Sequence, residues 1–139
     1  MQLVNGSASG AKEERMRKQD DLEKYMIQLG LPFERVGETM WIIDETPAEV
    51  VVSWAETMLV LRLKLMELPD TGKLEDFFRK LLVLNATEMT HGAFGIEGNT
   101  LVITDTLELE NMDLNEFQAS VESLVMAAQF HHQALKLAL

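Results

Sequence analysis

A chain of 139 residues with no cysteine has room for one domain, and it excludes thiol catalysis, thiolate metal ligation and a disulfide framework. Its 12 Lys and Arg against 23 Asp and Glu give a formal charge of −11. Between Lys80 and Lys136 there is no Lys or Arg, while residues 85–116 carry seven acidic side chains. That field repels polyanions, so neither nucleic acid nor an anionic membrane is expected as a partner.

The segment Met1–Gly10, "MQLVNGSASG", is small and polar. It is expected to be a disordered tail ahead of one domain over residues 11–139. It lacks the basic start and apolar run of a secretion signal, and no window approaches the roughly 20 apolar residues that cross a bilayer. A soluble cytoplasmic protein is expected. From Lys12 a helix is predicted, with Leu22, Tyr25, Met26 and Leu29 on one face and Gly30 and Pro32 as its stop. Period-two alternation follows: β-rich runs near Met40–Ile43 and Val50–Trp54, then Leu59, Leu61, Leu63 and Leu65 with Arg62 and Lys64 between them. "DETPAE" and "AET" mark the turns of this three-stranded antiparallel meander.

Asp70 is the predicted cap of a second helix carrying Leu74, Phe77, Phe78, Leu81 and Leu82. A hairpin turning at Gly98-Asn99 comes next. The last helix has the clearest entry signal, with Asp113 as cap, Glu116 closing the box and Met112 against Phe117 as staple, and it should run to about Leu137. The fold class is therefore α+β: helix, three-stranded meander, helix, β-hairpin, long C-terminal helix.

Residues that chemistry would need are sparse. Adjacent helical positions such as His131 and His132 point about 100° apart, and Ala127, Ala128 and Leu135 supply no ligand one turn away. His91 has Glu88 nearby but no nucleophile arranged beside it in sequence. Gly92-Ala93-Phe94-Gly95 lacks the following Lys and helix of a phosphate loop, and the carboxylates at Glu108, Glu110, Asp113 and Glu116 lack the spacing of a calcium loop. No catalytic residue, metal or cofactor is expected. The acidity itself has two readings, solubility or attraction of a basic partner.

An apolar excess remains. The last helix buries a stripe of Phe117, Val121, Leu124, Val125 and Ala128, yet Met126, Phe130 and Leu137 lie around from it. Such a helix is either sandwiched within its own domain or offers a face to a partner, and flexible methionines suit surfaces that accept varied partners.

The order of elements, "LLVLN" closing the middle helix and "GAFGIEGNTLVITDTLELENMDLNEF" as hairpin and cap resemble the YbjN family. More distantly, they resemble the class I type III secretion chaperones, whose Tir-chaperone-like fold is shared. The resemblance spans about Asp20–Leu135. It implies a non-enzymatic, homodimeric module, chaperone-like or a regulatory adaptor, that binds a protein or peptide client through apolar surface. It also places the two-fold contact on the middle helix and the strand near His91, with Phe77, Phe78, Leu81, Leu84 and His91 as interface residues. Met126, Phe130 and Leu137 are the candidate client contacts. The alternative is a regulatory domain that senses a small molecule in an enclosed apolar pocket.

Overall fold

The computed structural model describes residue 10 and residues 18–45, 48–70 and 72–139. Apart from Gly10, the expected tail and the helix start at Lys12 lie outside the described residues, as does the middle of the "DETPAE" turn. Contacts divide the chain into two compact units, residues 1–32 and 33–139.

In the first unit a helix, α1, covers residues 18–28. Its end is where the sequence placed it. Gly30 adopts φ 67°, its N–H reaches Ile27 O (3.1 Å), and Leu31 N–H reaches back to Met26 O (2.9 Å). This paired closure needs a residue at positive φ, and glycine supplies one without steric cost.

The second unit is an antiparallel six-stranded sheet with two helices. Strands β1 (Phe33–Arg35), β2 (Met40–Glu45), β3 (Ala48–Ala55) and β4 (Met58–Glu67) precede α2 (Glu75–Thr87). Then come β5 (Ala93–Glu97), β6 (Thr100–Glu108), a 3-10 turn at Leu109–Asn111, and α3 (Leu114–Leu137). The order across the sheet is β1-β2-β3-β4-β6-β5, so the hairpin inserts β6 beside β4 and leaves β5 at the edge. The α+β class and element order are as expected, with one addition. The three-residue β1 follows Pro32 and is too short to show alternation; Arg35 helps hold it, its guanidinium lying 5.1 Å over the Trp41 ring.

Register explains the core. Trp41 faces Val52, Val52 faces Leu61, Trp54 faces Leu59, and Leu63 faces Ile103, and all are buried on one face of the sheet. Helix α3 lies along that face against β3, β4 and β6, burying Phe117, Val121, Leu124, Ala128 and Leu135. Each of these side chains larger than Ala contributes roughly 1.5–3 kcal/mol by leaving water. The alternation breaks at Leu65, where a bulge between Lys64 and Met66 leaves it outside the pairing and half-buried. On the sheet's other face Arg62 and Lys64 are exposed, and Arg62 reaches across to Glu97 in an ion pair.

Two helix entries differ. Asp113 caps α3 as predicted, its Oδ1 accepting from Glu116 N–H at 2.7 Å. Asp70 does not cap α2. That helix begins at Glu75 with Leu74 as N-cap and no side-chain acceptor. Pro69 and Gly72 (φ 111°) lie between β4 and the helix, and the Asp70 carboxylate accepts instead from the Asn99 amide at the hairpin turn. The neighbouring Leu68 N–H donates to Asn99 O at 2.7 Å, fastening the same connection.

Candidate functional site

Helix α2 has apolar residues on two sides, and its neighbours decide which side faces in. Phe77 and Leu81, one turn apart, are 3% and 5% exposed, and Leu84 is half-buried. Phe78, Leu82 and Val83 face out, with Leu82 69% exposed. Of the predicted interface residues, Phe77 and Leu81 thus contribute to the protomer's interior, and Phe78 and His91 lie at the surface. Sequence reasoning passed over Val83. Its signal was present in the run Leu81-Leu82-Val83-Leu84, since four consecutive apolar positions on a helix cannot all share one face.

Asn85 fixes α2 to the sheet edge. Its Oδ1 accepts from Phe94 N–H at 2.6 Å and its Nδ2 donates to Phe94 O at 3.1 Å. One side-chain amide therefore satisfies both outward backbone groups of an edge residue, as a neighbouring strand would. Next to it, Gly92 at φ 78° is pressed against β6. A Cβ there would come within 2.7 Å of Thr104 O and 3.1 Å of a Leu124 methyl on α3. These two residues give physical meaning to "LLVLN" and to the glycine opening "GAFG".

The outer stripe of α3 carries Met126, Phe130 and Leu137, and Phe130 is 70% exposed. Ser123 and Ala127 are small, and beside them the helix surface recedes. Across the gap stands the turn Glu88–His91, so the two walls enclose a groove of about 480 Å³. His131 also lines it, its ring set edge-on to the buried Phe94 at 5.9 Å and 74°. A second hollow of about 440 Å³ lies between Ala48, Leu63–Leu65 and the Ala128–Gln133 turn of α3, with Lys64 and His132 on its rim.

The first groove brings His91, His131, Ser123 and Glu88 together, which the sequence did not reveal. Among the described residues, no hydrogen bond joins Ser123 to either histidine. Among the described residues, no three His, Asp or Glu side chains are grouped as a metal ion requires. Away from the groove, Glu67 at the end of β4 is held below its ordinary value by hydrogen bonds from Lys64 and then Thr100. The groove thus combines apolar side chains, Met89, Met126 and Phe130, with polar ones, Glu88, Thr90 and Ser123.

The CesT_Tir_1 family model matches residues 15–139. No curated protein matches the chain in sequence. Solved structures share its fold. One is the Yersinia pestis type III secretion chaperone SycH in complex with a fragment of YscM2, at 18% identity and TM-score 0.58 over 80% of this chain and 96% of that one. Another is a chain of the heterodimeric ExoU–SpcU complex from the type III secretion system of Pseudomonas aeruginosa, at 14% and 0.62 over 76% and 90%. A third is YbjN, a putative transcription regulator from E. coli, at 14% and 0.62 over 84% and 92%.

Proposed function

Because the chain belongs to the CesT_Tir_1 family, we propose that it is a non-enzymatic, homodimeric protein-binding module, chaperone-like or a regulatory adaptor, that holds a polypeptide partner on apolar surface. The observation that carries this reading is the separation of exposed apolar residues into two places outside the core. One is the α2 face of Phe78, Leu82 and Val83, and the other is the α3 stripe of Met126, Phe130 and Leu137. Structural relatives in complex with protein partners support a polypeptide occupant. A family model spanning residues 15–139 supports one domain over most of the chain, working in the cytoplasm. Among the described residues no helix is long and apolar enough to cross a membrane.

The α2 face is the dimer contact in this reading. Arg79 and Lys80 adjoin Glu75 and Asp76 on the exposed side, and a two-fold axis repeats each contact in reverse, so these mixed signs can meet their opposites. A standard interface of roughly 1,600 Å² in total is expected, with apolar burial dominating because exposed ion pairs are worth only about 0–1 kcal/mol. Sedimentation equilibrium at micromolar concentration tests it. A dimer is expected, and a monomer would remove the self-association half of the proposal.

A further inference from the structure

We infer that the groove between the Glu88–His91 turn and α3 takes a Lys- or Arg-bearing segment of a partner polypeptide, seated by an apolar side chain between Met126 and Phe130. This rests on the protein-binding reading above and adds the sign of the partner's charge. Glu122, Met126 and Phe130 sit at i, i+4 and i+8, so an exposed carboxylate lies one turn beyond the apolar residues that line one wall of the groove. Glu88 stands on the opposite wall, and among the described residues no Lys or Arg lines the groove. Gln118 donates to Glu122 Oε1 at 2.9 Å, a neutral contact that positions the carboxylate without cancelling its charge.

Charge also separates the possible occupants. A second copy brings the same acidic surroundings, with eight Asp and Glu and no Lys or Arg over residues 81–135, and like charges brought together oppose association. A segment with cations flanking an apolar anchor meets Glu88 in the groove and Glu122 one turn beyond Met126. The groove is partly open to solvent, which suits a chain lying in it better than an enclosed small molecule.

The test uses fluorescein-labelled synthetic peptides that share two leucines four positions apart and differ only in carrying Lys, Gln or Glu at the flanking positions. A fourth peptide keeps Lys but replaces both leucines with serine. Fluorescence anisotropy with the full chain should rank affinity Lys over Gln over Glu. The Lys advantage should shrink as salt is raised, since the screening length falls from about 10 Å at 0.1 M to about 3 Å at 1 M. Glu88→Gln and Glu122→Gln should each weaken the Lys peptide by about two- to fivefold, the range of an exposed pair, and leave the Gln peptide unchanged. Phe130→Ser, at an exposed position, should abolish binding of all three while the protein stays folded by circular dichroism.

Equal binding of Lys and Glu peptides, lost in Phe130→Ser, would overturn the charge preference and leave the protein-binding reading standing. If none of the leucine peptides binds, both fall at this groove. Binding of the serine peptide as tight as its leucine counterpart would show adsorption to net charge and overturn the groove. Conversion of a dimer to a monomer by Phe130→Ser would assign the groove to a second copy and overturn the inference as well.

Discussion

Helices α2 and α3 both carry more apolar surface than one sheet can cover, yet they differ in what surrounds the surplus. On α2, Phe78 and Leu82 are accompanied by Glu75, Asp76, Arg79 and Lys80, both signs within two turns. On α3, Met126 and Phe130 are headed by Glu122 and face Glu88, and the first basic residue is Lys136 in the last turn. Apolar area provides the driving force in either place, while charge selects the partner. A mixed-sign surface complements its own copy; a single-sign surface complements something of the opposite sign. In the proposed reading self-association belongs to α2 and partner capture to α3, and this division can be attacked where the two regions join and where each stands alone.

They join at Gly92. A methyl group there meets the Thr104 carbonyl at 2.7 Å and the α3 residue Leu124 at 3.1 Å, in a backbone conformation that only glycine adopts freely. Gly92→Ala should therefore lower unfolding free energy by about 3 kcal/mol or more, combining backbone strain with the clash. Denaturant titration reads this directly. A change below about 1 kcal/mol would show that the β5 entry can shift away from α3, and the two surfaces would then be less rigidly linked than the geometry implies.

Asn85 is the fastening of α2 alone. Asn85→Ala exposes Phe94 N–H and C=O on an edge strand, a loss of about 1–3 kcal/mol if water does not replace the amide. Because the α3 contacts are untouched, dimer affinity should fall more than groove binding does. Equal loss of both would show that α2 and α3 do not act separately. At the entry of α3, Asp113→Ala should cost about 1 kcal/mol, the usual size of a lost N-cap, whereas Asp113→Asn keeps an acceptor and should change the denaturation midpoint little.

How far the sequence could be read depended on whether a signal was local. The caps at Asp113 and Gly30, the Gly98 turn (φ 60°) and the alternation of Leu59, Leu61 and Leu63 are set by near neighbours, and each stands where it was expected. Asp70 looked like a cap because a carboxylate near a helix start usually is one, but its partner, Asn99, is 29 residues away. The short β1 exists because β2 is there to pair with it. Of the candidate sites, the α3 stripe could be read from helical spacing. The opposite wall of the groove could not, since setting the Glu88–His91 turn beside α3 depends on the close approach of Gly92 to Thr104 and Leu124, both distant in sequence. On α2 the periodicity marked two adjacent apolar stripes and left open which one faced inward.

That last ambiguity makes the sharpest test. Leu81 and Leu82 are chemically identical neighbours, one 5% and the other 69% exposed. Leu81→Asp places a carboxylate where water cannot reach it, and the chain should fail to fold. Leu82→Asp places the same carboxylate in solvent, so the stability of the separate protomer should change by no more than about 0.5 kcal/mol. Across a two-fold contact, however, the substitution sets two unpaired charges into an apolar patch, and sedimentation should show a folded monomer. Apparent stability must be compared at concentrations where the wild type is also dissociated, because dimerisation itself raises the denaturation midpoint. The Leu82→Asp monomer should still bind the Lys-flanked leucine peptide with unchanged affinity. If that binding were lost along with the dimer, the α3 groove would depend on the second copy, and the division of labour between the two helices would be wrong.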